Sequence, residues 1–318
     1  MSAILISRPL PEDVCRAASD LGEVTVRQST DPMSFDEMCS ALSHYDIILP
    51  TLRDMFDASV FEAAASKKRC KLLANFGVGY NHIDVAAAKS HGISVTNTPG
   101  AVTDATADIG MSLLLMSARR LSEGERLVRR KEWTGWHPTQ LLGQHVSGKT
   151  VGIIGMGQIG QAIARRCHFG FGMKVAYFNR SPKSLEFHAT RYDSIVEVAK
   201  HSDFLVIALA ANQDTHHVID KTVFDSLQPH AHFINIARGD IVNEADLIGA
   251  LQSGQIAGAG LDVYEFEPQI PDALLAMDNV VLLPHLGTAS LEVRVDMGMM
   301  AVENIKAFVT GVPLPNLL

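Results

Sequence analysis

The sequence predicts an α/β protein built from two parallel-sheet units. Short β-rich runs alternate with helical patterns almost throughout the 318 residues, and strand–helix alternation implies parallel sheets with crossover helices. The alternation runs as two series, separated by a long apolar-periodic segment that begins at about residue 104. With 47% hydrophobic and 19% charged residues, the chain has the balance of a well-packed α/β protein of about two domains rather than a disordered or fibrous one.

The elements follow in order. In the first series AILIS (3–7), VTVRQ (24–28), DIILP (46–50), KLLANF (71–76) and ISVTN (93–97) are strand-like. Between them EDVCRAASDLG, FDEMCSALS, ASVFEAAAS and DVAAAKSHG carry helical spacing. The joint, DATADIGMSLLLMSARRLSEGERLVRR (104–130), reads as one or two helices. The second series has strands KTVGIIG (149–155), KVAYFN (174–179), DFLVIAL (203–209), HFINIA (232–237), IAGAGLDV (256–263) and NVVLLP (279–284). A last helix carries the stripe Leu291, Val295, Met299, Val302, Ile305 and Val309 and stops at Gly311 and Pro313. The pattern alone does not say which unit this helix packs on.

Charge and cysteine usage remove several function classes. A formal charge of −8 without any Lys/Arg tract leaves no electrostatic footprint for nucleic acid. The four cysteines (Cys15, Cys39, Cys70, Cys167) are dispersed, with no C-x-x-C spacing, so neither a metal site nor a disulfide framework is expected. Such usage fits a reducing, cytoplasmic setting. MSAILISRPLPED has acids soon after its apolar run and reads as a first strand rather than a signal peptide. No apolar stretch approaches the ~18 residues of a membrane span.

Two nucleotide-binding signatures stand back to back in GQHVSGKTVGIIGMGQIG (143–160). GQHVSGKT fits G-x-x-x-x-G-K-[ST], but that loop needs a strand before it and a helix after it. Here HPTQLL precedes it and the strand VGII follows, so the order is reversed and the match is a loop leading into a strand. GMGQIG has its context: strand TVGII runs into Gly155 and the helix QIGQAIARRCHFG follows. Gly155 permits the tight turn, Gly157 the close approach of a pyrophosphate, and Gly160 the packing of helix on strand.

The tip of the second strand selects between dinucleotides. An acid about 20 residues on would hold the ribose 2′-hydroxyl of NAD. From Gln161 through Leu185 there is none, and the tip reads Asn179-Arg180-Ser181-Pro182-Lys183. Arg180 can stack on adenine or pair with a 2′-phosphate, and Asn179, Ser181 and Lys183 are further donors. NADPH is expected to be preferred, with NADH weaker; the bland alternative is that Arg180 and Lys183 are solvated surface charges.

Reduction of a carbonyl needs a cation to hold and polarise it, a proton donor, and a group that keeps the donor protonated. In an open α/β sheet these belong in loops at the carboxyl ends of strands. INIARGD puts Arg238 there, GAGLDVYEFEP puts Glu267 there with Glu265 as the competing acid, and VVLLPHLGTAS supplies His285.

With these residues in view the chain resembles the D-2-hydroxyacid dehydrogenase family, and within it the glyoxylate/hydroxypyruvate reductases. The segments that carry the likeness are NFGVGYNHIDVAAAKSHGISVTNTPG, GKTVGIIGMGQIG, INIARGDIVNEADL, GAGLDVYEFEP and LLPHLGTAS, in the family's order and spread over the whole chain. The resemblance implies a Rossmann-type cofactor domain (100–286) inserted in a flavodoxin-like substrate domain (1–99 plus 287–318), with the active site in the cleft between them. It implies that Arg238 binds the 2-oxo acid's carboxylate and carbonyl, that His285 is the proton donor, and that Glu267 hydrogen-bonds it and favours its charged form. The amides of Val78 and Gly79 would cradle the carboxylate. Asp262 would face the nicotinamide side, and Thr106, Gln158, Ile159, Gly287 and His285 would contact the cofactor. A homodimer is implied, with Trp136 of EWTGWHP reaching the partner's active site; otherwise Trp133 and Trp136 are plain dimer contacts.

The loop ILPTLRD aligns with a substrate-contacting loop of the family. Leu52 fits a small substrate, whereas Arg53 departs from the small polar residue expected in the reductases. Arg53 either points to solvent or admits a substrate with an extra polar or acidic group. The expected activity is therefore NADPH-dependent reduction of glyoxylate or hydroxypyruvate to glycolate or D-glycerate. A 2-ketogluconate or other 2-oxo-acid reductase is the alternative within the enzyme class, and a dinucleotide-sensing binding protein is the rival outside it. Formate dehydrogenase has Gln in place of the histidine's Glu partner, so Glu267 weighs against it.

Overall fold

In the computed structural model, which describes residues 1–318, the first strand β1 (Ser2–Ile6) is an interior strand of its sheet, with Ile4 and Ile6 fully buried. It is followed by α1 (Glu12–Ser19), β2 (Gly22–Val26), α2 (Phe35–His44), β3 (Ile47–Leu49), α3 (Ala58–Ala64), β4 (Leu72–Ala74), α4 (Val85–Ser90) and β5 (Ser94–Thr96). The five strands pair in parallel in the order β2-β1-β3-β4-β5, the doubly wound arrangement in which the chain reverses direction beside its first strand. Residues of β3 and β4 are buried on both faces, as a parallel sheet covered by helices requires. Local chemistry sets the helix starts: Ser34 and Glu37 form a capping box on α2, and Asp57 and Asp84 cap α3 and α4.

The joint resolves into two helices, α5 (Thr103–Ala118) and α6 (Leu121–Arg129), broken where Arg120 takes a left-handed conformation at φ +54°. Then come β6 (Thr150–Ile154), α7 (Gln158–Arg165), β7 (Lys174–Phe178), β8 (Ala189–Arg191), α8 (Ile195–Lys200), β9 (Phe204–Ile207), α9 (Lys221–Ser226), β10 (His232–Asn235), α10 (Glu244–Gln252), β11 (Gly258–Leu261), α11 (Asp272–Leu275) and β12 (Val280–Leu282). Seven parallel strands run in the order β12-β11-β10-β9-β6-β7-β8. Every residue of β9, β10 and β11 is buried, and separate apolar clusters cover the two faces of the sheet, one around Phe224 and Phe233, the other around Leu113, Ile163 and Phe204. The edge strand β8 has no counterpart among the strands expected from the sequence. Ala189 is half-buried, Thr190 and Arg191 are exposed, and the three carry no periodic signal, so only pairing with β7 makes them a strand.

The closing helix α12 (Leu291–Thr310) ends at Gly311 and packs on α1 and β4. The chain thus forms two units, Met1–Val102 with Ala289–Leu318, and Thr103–Thr288. No helix is long and apolar enough to cross a membrane.

Candidate active site

In the seven-stranded unit the strand order reverses between β6 and β9, the switch point at which open α/β sheets bind ligands. Gly155 stands there at φ +99°, and a side chain on it would meet the Ala208 carbonyl oxygen at 2.6 Å. A side chain on Gly160 would collide with the Gly155 oxygen, so α7 sits on the turn only because that residue is glycine. Around Gly157 there is open space. The amides of Gln158, Ile159 and Gly160 open α7 without a protein acceptor, as the first turn of a helix leaves them. That arrangement fits the pyrophosphate of a dinucleotide.

The β7 tip is ordered from behind. Asn179 accepts from the Met156 amide at 3.2 Å and donates to the Ser181 carbonyl at 2.9 Å. Arg191 of β8, which no sequence signal singles out, donates to the Asn179 carbonyl at 3.3 and 3.4 Å. Arg180 and Ser181 are exposed, and the Lys183 amide donates to the Tyr177 hydroxyl at 3.3 Å. The Arg180 and Lys183 side chains pair with no carboxylate.

Glu267 and His285 come together after β11 and β12. The Glu267 carboxylate accepts from His285 Nδ1 at 3.0 and 3.2 Å, and from the Tyr264 amide at 3.2 Å. Burial opposes ionisation of Glu267, but the hydrogen bond and charge of His285, the Tyr264 amide and Arg238 outweigh it and hold the carboxyl below its ordinary value. An ionised carboxylate only accepts, so Nδ1 carries a proton and Nε2 is the nitrogen turned away from Glu267. Glu265 has another partner: it accepts from His217 Nε2 at 2.7 Å and from the Glu244 amide at 3.3 Å. The competing acid is thereby a tie between two loops, and it does not touch His285.

Asp262 is almost fully buried and grips the His285 loop. Its two oxygens accept from the amides of Leu286 (2.6 Å) and Gly287 (2.8 Å), and its carbonyl accepts from the His285 amide at 2.9 Å. Burial pushes the Asp262 carboxyl up, against the two amide bonds that lower it. Thr106 donates to the Gly287 carbonyl at 3.0 Å. Together these contacts hold His285 at φ +56°, a conformation a non-glycine residue keeps only when its surroundings impose it. The sequence points to Asp262 only as a residue facing the nicotinamide; its grip on the loop is not legible there.

Arg238 follows β10. Its Nη1 donates to the Ala237 carbonyl at 2.7 Å, and its Nε is buried without a hydrogen-bond partner. Burial pushes the guanidinium down from its ordinary value, against the carboxylates of Glu267 and Asp240, which raise it. A guanidinium stays charged in a protein, so this is a desolvated cation with donor capacity to spare. It fits an anionic or carbonyl oxygen.

The sequence model of the D-isomer specific 2-hydroxyacid dehydrogenase NAD binding domain matches residues 111–287. The chain belongs to the D-isomer specific 2-hydroxyacid dehydrogenase family. The match contains the glycine turn, Arg238, Asp262, Glu267 and His285. A glyoxylate reductase from Thermococcus onnurineus is 39% identical over 99% of this chain and 95% of its own. Among solved structures, the TT0316 protein from Thermus thermophilus superposes with a TM-score of 0.92 at 36% identity, covering 99% of both chains. The NADPH-dependent glyoxylate/hydroxypyruvate reductase from Sinorhizobium meliloti, in complex with NADP and malonate, superposes at 0.88 with 33% identity, covering 100% of this chain and 96% of that one. As a 2-hydroxyacid dehydrogenase, the protein is an oxidoreductase with a nicotinamide-dinucleotide-binding domain.

The five-stranded unit of this dehydrogenase holds most of the remaining candidates. Leu52 is half-buried and its carbonyl accepts from Arg8 Nη1 at 2.7 Å. Arg53 is exposed at φ +76°, and its side chain forms no ion pair or hydrogen bond. Val78 and Gly79 lie in the loop after β4. In the other unit Trp133 donates from Nε1 to Gln140 at 3.3 Å, and Trp136 is 81% exposed.

Proposed function

We propose that the protein reduces small 2-oxo acids with NADPH, taking glyoxylate and hydroxypyruvate to glycolate and D-glycerate, with NADH as a weaker donor. The observation that carries this reading is the His285–Glu267 pair beside a desolvated Arg238 whose Nε is unpartnered. When bound, the reduced nicotinamide supplies the hydride that the substrate carbonyl carbon accepts. Arg238 holds the carbonyl and carboxylate and stabilises negative charge developing on oxygen. His285 delivers the Nε2 proton to that oxygen, while Glu267 keeps the imidazole in orientation through Nδ1. The amides of Val78 and Gly79 take the carboxylate. Gln158, Ile159 and Gly160 offer amides to the pyrophosphate; Thr106, Asp262 and Gly287 shape the nicotinamide side.

Mixing pure protein with NADPH and glyoxylate, hydroxypyruvate, pyruvate or 2-ketogluconate, and following cofactor absorbance, tests the reading. Turnover of glyoxylate or hydroxypyruvate is the expected result, and no turnover of any of the four would leave a dinucleotide-binding protein in its place. A specific observation favours a second reading of the substrate: the free, exposed Arg53 at φ +76° suits a 2-oxo acid with an additional polar or acidic group. Faster turnover of 2-ketogluconate than of glyoxylate would favour it.

The acid-free tip supports the cofactor assignment. Replacing Arg180 with Asp puts a carboxylate where a 2′-phosphate would lie and an acceptor where a ribose hydroxyl would lie. The ratio of kcat/KM for NADPH over NADH is expected to fall by about tenfold or more. An unchanged ratio would move 2′-phosphate recognition to other residues.

A homodimer is part of the same reading. From α6 through the loop that follows it, Leu121, Val128, Trp133, Trp136 and Leu142 are all exposed, an apolar run that a second copy would cover. Sedimentation of the pure protein as a monomer would remove this element. The cysteines support a reducing, cytoplasmic compartment: all four are free, and burial pushes the thiols of Cys70 and Cys167 up to about 12, where they are unreactive.

A further inference from the structure

The carboxylate-binding amides are assigned above to the loop after β4, and what shapes that loop is a pair of buried side chains. Asn75 is fully buried at the end of β4. Its Nδ2 donates to two carbonyl oxygens of the loop, Gly77 and Gly79, each at 3.0 Å. Its Oδ1 faces Nε2 of the buried His82 at 3.0 Å. A carbonyl oxygen only accepts, so His82 is the donor in this bond. That bond decides which way the Asn75 amide is turned, and with it where the NH2 group points. The other carbonyl of the loop is also held from the scaffold, since Asn97 Nδ2 donates to the Val78 oxygen at 3.0 Å. The Gly77 oxygen receives a further bond from the Thr98 amide at 3.1 Å.

Three successive carbonyls, of Gly77, Val78 and Gly79, are thus drawn toward donors from the unit itself. The amides that follow them, of Val78, Gly79 and Tyr80, donate to no protein acceptor. Successive N–H groups left unpaired in a tight turn form a concavity for an anion. Without Asn75, the Gly79 carbonyl loses its donor and the Gly77 carbonyl keeps only the Thr98 amide, so the peptide planes between them can rotate.

We propose that Asn75 and His82 are positioning residues for the substrate carboxylate: His82 orients the Asn75 amide, and Asn75 turns the Val78–Tyr80 amides into an anion-binding nest. Neither side chain touches the substrate. The inference rests on the proposed reduction of 2-oxo acids, and its test separates the two. Turnover of glyoxylate by the wild-type protein tests the reaction; the variants below test the nest.

In the full-length protein, Asn75→Ala is expected to raise the KM for glyoxylate and the inhibition constant of oxamate, a carboxylate-bearing mimic, by about tenfold. The kcat and the NADPH dissociation constant should change much less, since both depend on the other unit's residues. Asn75→Asp, of the same shape but with no donor, should do at least as much, because it faces two carbonyl oxygens with a carboxylate. His82→Gln keeps a donor near the Nε2 position and should stay close to wild type, whereas His82→Leu should repeat the Asn75→Ala effect. That rescue separates positioning from general loss of packing, which would move both His82 variants alike and lower their thermal midpoints together. The proposal is overturned if Asn75→Ala or Asn75→Asp, with NADPH affinity intact, binds oxamate as wild type does. Should the Asn75 variants not fold, equal oxamate affinity in His82→Gln and His82→Leu overturns it as well.

Discussion

His285→Ala is expected to lower kcat by about two to four orders of magnitude while leaving the NADPH dissociation constant nearly unchanged. The imidazole is the donor whose Nε2 is turned away from Glu267, and the contacts that make the nucleotide turn, at Gly155, Gly160 and Met156, do not involve it. Stopped-flow reduction and a fluorescence titration with NADPH check the two halves separately; retained turnover would refute the donor role. The pH dependence follows from Glu267. Its carboxyl is lowered in the folded state, so the stability contributed by the pair is present above the unfolded value near 4.3 and lost as pH falls through the lower folded value. Activity that depends on ionised Glu267 should therefore persist below the pH at which an unperturbed glutamate protonates. Glu267→Gln should have no acid limb from this carboxyl, and low kcat at every pH.

Arg238→Ala is expected to lower kcat/KM for 2-oxo acids by about two to three orders of magnitude, the cost of removing a donor aimed at developing charge. Lysine should recover little of it, because an ammonium cannot reproduce the planar fork of a guanidinium. The effect on folding should have the opposite sense. Arg238 is a desolvated cation with a buried, unpartnered Nε, so its removal should leave the thermal midpoint unchanged or raise it. A fall in both activity and thermal midpoint would make Arg238 a structural residue instead.

The strands legible in the sequence are those whose residues are buried on both faces, such as VGII of β6, FLVI of β9 and FIN within β10, because continuous apolar runs follow from burial by helices on each side. The edge strand β8 escapes notice because a mostly exposed strand of three residues has neither a run nor a period. The break between α5 and α6 stays open in the sequence for a related reason. Arg119-Arg120 carries no glycine or proline to announce it, and only the φ of +54° at Arg120 marks the stop. GQHVSGKT is legible as a coincidence through its flanks alone, since Thr150 begins a strand and no helix follows its lysine.

The sequence by itself determined the fold class, the glycine turn at 155–160, the acid-free tip at Asn179–Lys183, and the three residue types at strand ends. Those features are local: each depends on a short window whose chemistry is written in its own residues. The family resemblance points to Glu267, the acid before the proline, as the partner of His285, but the physical reason for that choice over Glu265 comes only from the tertiary structure. Glu265 and Glu267 stand two residues apart in one loop, and where each side chain arrives is what sets their roles apart. One arrives at His217 and the other at His285, residues 48 and 18 positions away in the chain. The same holds for Asp262 under the His285 loop and for Asn75 behind the Val78–Gly79 amides. Such contacts join residues through burial and close approach of separate loops, so no local pattern records them.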